Sequence, residues 1–342
     1  MKKLLNVLYV TNEEAYLSKD GEDISILISG QKPIKIPSHN LEGIVCFSYR
    51  GASTKLMAMC AEKNIGMSFH TPFGKFLFRV QGKVSGNILL RKKQYRISDD
   101  EKMSCLIARN FVIGKLINYR NVLNRFKRDY ADKFDDEMKK SIEYLSDGIK
   151  NVFKCEDLNT LRGFEGVGSK YYFDVFDKLI LVDKENFEFK SRNRRPPLDR
   201  VNALLSFVYV LFSHDMESSL ESVGLDTQAG FLHRDRPGRS SLALDMMEEL
   251  RPYLCDRFVL KLINTRVIKQ NDFIVKENGS VLILEDARKN ILVAWQKRKK
   301  DTVIHPFLGE KIEIGLIPYV QSLLLARYLR GDLEEYPPYL MK

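Results

Sequence analysis

Apolar positions along the chain change their period near residue 80. Before it, the runs are short and alternate with period two. Leu4 to Val10 is a first run, and Ala15-Tyr16-Leu17 and Ile24 to Ile28 flank Asp20-Gly21, a hairpin signal. Pro33-Ile34-Lys35-Ile36-Pro37 alternates between prolines, as an edge strand does. Ile44 to Phe47, Met67 to Phe69 and Phe76 to Val80 add strands, the last two around a Pro72/Gly74 turn, and Gly51 to Lys63 reads as one short helix. From Ser98-Asp99-Asp100-Glu101, read as a capping box, the period becomes 3.6. The spacing predicts helices over 99–130, 133–154, 157–181, 198–223, 240–265, 285–300 and 311–331. A hairpin around Asn278-Gly279 interrupts them. The tail Glu334-Glu335-Tyr336-Pro337-Pro338 cannot continue a helix and is expected at the surface. The expected class is α+β: a β-rich domain over 1–82 with one short helix, a glycine- and lysine-containing linker over 83–98, and a mainly α-helical catalytic domain over 99–342.

Composition excludes several classes. With 342 residues, 44% hydrophobic and 29% charged, the chain is ordinary globular protein and long enough for two domains. No apolar run approaches the ~20 residues of a membrane span, and the N-terminus reads as a first strand rather than a signal peptide. The five cysteines form no CxxC pair, which argues against a zinc ribbon and fits a reducing cytoplasm. The net charge of +10 favours a polyanionic partner without identifying one.

Candidate chemistry lies where the pattern breaks. Glu165 falls inside the apolar stripe of Leu158, Leu161, Tyr172, Phe176 and Leu179, among Gly163, Gly166 and Gly168. A carboxylate on an inward face needs a partner. Arg162 or an arginine of 192–195 would serve; so would a metal. The glycines imply close backbone approach. His233 sits in a turn-rich loop with Arg234, Arg236 and Arg239. Asp245 and Glu248, three apart, share one helix face; with Glu249 they are either its solvated side or part of a site. Glu165, His233 and Glu248 together would suit Mg²⁺ or Mn²⁺, with Asp245 as a further or supporting group. The three loop arginines would hold phosphate beside such an ion. Arg192, Arg194 and Arg195, before Pro196-Pro197, form one of several basic clusters that favour nucleic acid. Asn202, Ser206, Tyr209 and Ser213 make a polar seam that either bonds within the core or lines the cleft. Trp295 reads as a packing residue, and His39 and His70 stand alone.

In their order along the chain, four segments resemble the CRISPR-associated protein 1 family: Leu161 to Gly166, Arg195 to Phe207, Gly230 to His233, and Gly238 to Glu249. The resemblance covers essentially the whole length and looks closest to type I-C members. It implies that Glu165, His233 and Glu248 bind the metal with Asp245 auxiliary. It also implies an integrase in which a prespacer 3′-hydroxyl attacks a phosphodiester at the leader–repeat junction, the same site hydrolysing DNA when water is the nucleophile. The implied partners are DNA, a second copy of the chain, a dimer of the small second CRISPR-associated protein, and a fourth-family nuclease. A metal-dependent nuclease without integration and a non-catalytic DNA-binding scaffold are the competing expectations.

Overall fold

A computed structural model describes residues 5–71, 76–80, 82 and 88–341. The expected Pro72/Gly74 turn and residues 83–87 of the expected linker lie outside them. The chain divides into two compact units.

The first unit comprises Met1–Ser85, Leu282–Thr302 and Glu313–Gly315. Its four-stranded sheet runs β1 (Asn6–Val10), β5 (Leu41–Cys46), β6 (Gly66–His70), β7 (Phe76–Val80); the first two pairings are parallel and the last antiparallel. A second, antiparallel sheet holds β2 (Tyr16–Asp20), β3 (Asp23–Leu27) and β4 (Ile34–Pro37). Gly21, at φ +60°, turns the β2–β3 hairpin, and the proline-bounded β4 is an edge strand, as the alternation predicts. Helix α1 (Thr54–Glu62) is capped by Ser53, whose hydroxyl accepts from the Leu56 N–H. The period-two residues Leu17, Ile24, Ile44 and Met67 meet Leu56 and Cys60 of α1 in one core.

The second unit comprises Gly86–Val281, Val303–Ile312 and Leu316–Lys342. It opens with α2 (Ile88–Ser98), so most of the expected linker 83–98 is helix. Gln94 explains this: it is buried, and its side-chain amide bonds the Asp226 and Ala229 carbonyls and the Asp226 N–H. The long α3 (Glu101–Asp129) is capped by Asp100, not Ser98, whose hydroxyl turns back to the Tyr95 carbonyl. Against α3 pack α4 (Asp136–Phe153), α5 (Leu158–Asp174) and α7 (Ser241–Arg251), and α6 (Arg200–Ser222) packs on α7. The helix predicted over 157–181 ends at Asp174 and tightens into a 3₁₀ turn at Phe176–Leu179. That predicted over 240–265 is interrupted. Pro252 has no N–H for the Glu248 carbonyl, the chain widens into a π turn over Pro252–Asp256, and α8 (Arg257–Asn264) follows.

Strands β8 (Phe273–Val275) and β9 (Val281–Ile283) flank the Asn278-Gly279 turn. Helix α9 (Glu285–Lys299) belongs to the first unit, although the sequence reading assigned all of 99–342 to one domain. There Trp295 is buried and Gln296 donates to the Tyr9 hydroxyl at 3.2 Å. The short strands β10 (Thr302–Ile304) and β11 (Lys311–Glu313) precede α10 (Ile317–Arg330), so the helix predicted from 311 starts later. Gly331, at φ +91°, ends it.

The tail differs from expectation. Tyr336, Tyr339 and Met341 are buried. Asn118 of α3 donates to the Tyr339 carbonyl and accepts from the Met341 N–H. Gly331 has already ended the helix, and the tyrosines before and after the two prolines anchor the segment in the core. Among the described residues no helix is long and apolar enough to cross a membrane.

Candidate active site

Helices α3, α5 and α7 meet at one charged cluster. Gly168 of α5 admits α3: a Cβ there would lie 2.3 Å from Leu116 Cδ2. Gly114 admits α7, since its Cβ would meet Glu249 Cβ at 2.8 Å. Gly163 and Gly166, expected to serve close approach, face open space.

The stripe of Leu158, Leu161, Tyr172, Phe176 and Leu179 is buried, and Glu165 lies among it with a quarter of its side chain exposed. Its partner is neither Arg162 nor an arginine of 192–195. It is Lys115 of α3, whose ammonium also reaches Glu248 Oε2 at 2.5 Å. Ser169 donates a further hydrogen bond to Glu165 at 3.0 Å. Glu248 is paired on its other oxygen by Arg251, one turn on. Burial opposes the charge on Glu248, but Arg251, Lys115 and His233 outweigh it and hold the carboxyl far below its usual range. Burial likewise opposes the charge on Lys115, and Glu165 and Glu248 overcome it.

The acids of α7 are not its solvated side: Asp245, Glu248 and Glu249 are all buried. Asp245 organises the His233 loop. It accepts the N–H groups of Phe231, Leu232 and His233 at 2.6, 2.8 and 2.9 Å and binds His233 Nδ1 at 2.5 Å. Gly230 makes this possible, because a Cβ there would fall 2.8 Å from Asp245 Oδ2. With Nδ1 engaged, His233 Nε2 is the nitrogen on the Glu248 side, 3.9 Å from Oε1. Arg162, at the start of α5, braces the loop through the Leu232 carbonyl at 2.6 Å, and it shares Asn159 with Arg234.

Glu249 faces away from this group. It accepts from Gln321, the Tyr336 hydroxyl and the Tyr339 N–H, and burial raises its carboxyl to about 7 against those bonds.

Behind the cluster, Tyr209 donates to Asp256 Oδ1 at 2.6 Å. Burial lifts Asp256 to about 6, although Tyr209, Arg251, Lys115 and Arg192 all pull it down. Arg192 has a structural post: it donates to Asn202 at 2.7 Å and Ser206 at 3.2 Å and lies over the Tyr209 ring. The polar seam of α6 is therefore bonded within the protein at those three residues. Arg194, Arg195, Arg234 and Arg236 are exposed, and Arg239 is half-buried.

Sequence reasoning missed Lys115, Arg251 and Asp256. Lys115 stands in the apolar register of α3, between Val112 and Leu116, and that misplaced charge was the available signal.

As a donor set, two carboxylates already share one cation, and an imidazole has its second nitrogen fixed by a third acid. This fits a divalent ion chemically. Among the described residues, however, no three histidine, cysteine or acidic side chains close around one point, because the Lys115 ammonium lies between the two glutamates.

The family profile "CRISPR associated protein Cas1" matches residues 8–297. The chain belongs to the Cas1 family. A Cas1 endonuclease of Chlorobaculum tepidum is 49% identical over the full length of both chains. One of Rhodospirillum rubrum is 45% identical, again over both full lengths. A Cas4 exonuclease/Cas1 endonuclease fusion of Geobacter sulfurreducens is 32% identical over 98% of this chain and 60% of the fusion. Among solved structures, a casposase bound to its integration product aligns with TM-score 0.85 at 22% identity, covering 99% and 95% of the two chains. A Cas6-RT-Cas1–Cas2 complex aligns with TM-score 0.82 at 20% identity, covering 100% of this chain and 37% of the other. The last two show the Cas1 fold, with its β-rich N-terminal part and mostly helical remainder.

Proposed function

We propose that this Cas1 family member is a metal-dependent DNA endonuclease and integrase of CRISPR adaptation. Glu165, His233 and Glu248 would hold Mg²⁺ or Mn²⁺. The observation that carries this reading is the sharing of one cation by Glu165 and Glu248, with His233 Nε2 beside Glu248 and its other nitrogen fixed by Asp245. When bound there, such an ion would supply Lewis acidity to a phosphodiester. The protein's own groups do the rest. Asp245 keeps the imidazole in one tautomer and orientation. Arg234 and Arg236, exposed beside His233, and Arg239 behind them hold the phosphate. Arg194 and Arg195 add exposed positive charge for the DNA backbone, while Arg192 secures their loop through Asn202.

In the reaction, a prespacer 3′-hydroxyl forms a new P–O bond at the leader–repeat junction and the displaced 3′-oxygen leaves with a proton. With water as nucleophile the same exchange is hydrolysis. The working assembly would be two homodimers flanking a Cas2 dimer, with Cas4 trimming prespacers; a Cas1–Cas2 complex and a Cas4/Cas1 fusion among the similar proteins support these partners. The subtype would be I-C and the compartment the cytoplasm.

Strand transfer of a prespacer into a supercoiled plasmid carrying leader and repeat tests the reading. Glu165→Gln and His233→Ala should each lower transfer and cleavage at least 100-fold and leave DNA binding by the folded protein nearly unchanged. Hydrolysis without transfer would identify a plain nuclease. Binding with neither, in Mg²⁺ and Mn²⁺, would identify a scaffold.

A further inference from the structure

Lys115 is buried, with 3% of its side chain exposed, and its ammonium touches two carboxylates from two different helices. A buried lysine is strongly destabilising unless it is paired, and here two acids pair it. Glu165, Glu248, Lys115 and Arg251 together are two negative and two positive charges, a neutral group as it stands. Arg251 lies on the other oxygen of Glu248, so it does not compete for the space between the glutamates.

We propose that Lys115 is a resident counter-cation: it holds Glu165 and Glu248 together without metal, and a divalent ion must displace it. This rests on the metal reading above. An ammonium and a divalent ion cannot both occupy the position between two carboxylates that are each in direct contact with that ammonium. At such range, in a site sheltered from water, their mutual repulsion is strong. Lys115 thereby lowers the affinity for metal while protecting the fold from two unpaired buried acids. An apolar side chain at 115 should reverse both effects.

The experiment measures Mn²⁺ binding alone, by calorimetry and electron paramagnetic resonance, on the full-length protein after chelation. It compares wild type, Lys115→Met and Glu165→Gln. Lys115→Met should bind Mn²⁺ at least tenfold tighter than wild type. It should also melt lower in chelator and gain more melting temperature from Mn²⁺. Folded Lys115→Met with equal or weaker affinity than wild type overturns the inference alone. Binding in none of the proteins overturns it together with the metal reading. Should Lys115→Met fail to fold, the wild type still decides. Acetic anhydride should modify Lys115 slowly in chelator and faster with Mn²⁺, read by peptide mass spectrometry; an unchanged rate overturns the inference.

Discussion

Asp245 carries more hydrogen bonds than any other acid of the site, and its role is testable by one atom. Asparagine keeps one acceptor oxygen but turns an amide NH₂ toward donors that need acceptors. Asp245→Asn should cost about 1–3 kcal/mol per donor left unpaired. It should also lower cleavage at least 100-fold, because the His233 ring loses its fixed orientation. Thermal melting and plasmid cleavage measure the two effects, and full activity with a lowered melting temperature would separate them. Asp256 makes a different prediction. Its folded-state pKa is raised to about 6, against about 4 in an unfolded chain, so the fold favours its protonated form. The stability it contributes is complete below pH 4 and is lost as pH rises through 6. Asp256→Asn, which stays neutral, should therefore gain melting temperature relative to wild type between pH 4 and 7 and hold that gain above. The groups that face Asp256 include Tyr209 from α6, Tyr172 from α5, Arg251 from α7, Lys115 and Tyr119 from α3, and Arg192 from its loop. A difference that does not vary with pH would contradict this account.

At the scale of elements, glycines of similar sequence context divide by what their missing side chain would meet. Gly163 is exposed in the interior of α5 with nothing near its Cβ position, so Gly163→Ala should stabilise by up to about 1 kcal/mol. Gly114 lies where α3 and α7 touch, and a Cβ there would meet Glu249 at 2.8 Å and Pro338 at 3.0 Å. Gly114→Ala should destabilise by about 1–3 kcal/mol and reduce cleavage by shifting α7. Chemical denaturation of the two variants checks the opposite signs. The sequence shows that α5 is unusual but not which glycine is responsible, because proximity across helices is absent from periodicity. For the same reason Lys115 was legible only as a charge in an apolar register. Its two acids lie 50 and 133 residues away. Glu165, His233, Asp245 and Glu248 could be singled out because each breaks a local pattern: an acid in a stripe, a histidine among turn residues, acids one turn apart. The helices of 99–154 and 198–223 were legible because their apolar period is sustained over many turns, Lys115 and the polar seam of α6 notwithstanding.

At the scale of the molecule, the C-terminal segment turns out to be part of the interior. Tyr336 donates to Glu249 and accepts from Gln321 at 2.7 Å, so three elements end on one hydroxyl. Tyr336→Phe leaves a buried carboxyl without that donor and should cost about 1–3 kcal/mol. Melting temperature and protease cleavage between 332 and 341 would report the loosening. The sequence concealed this because acid and proline content at Glu334 to Pro338 is ordinary for a surface turn. The two-part division was visible from the change of period. The return of residues 282–302 to the first unit was not, since a helix carries no mark of which core it joins.

The wide turn at Pro252 has a geometric consequence for the acids. An unbroken helix advances about 100° per residue, and eight residues past Glu248 would carry Asp256 ~80° round the axis. The looser winding of Pro252–Asp256 takes up part of that rotation and swings Asp256 back toward the side of Glu248. A single imino acid thus acts as a phase corrector, aiming the carboxylates of α7 and of the wide turn into the same interior.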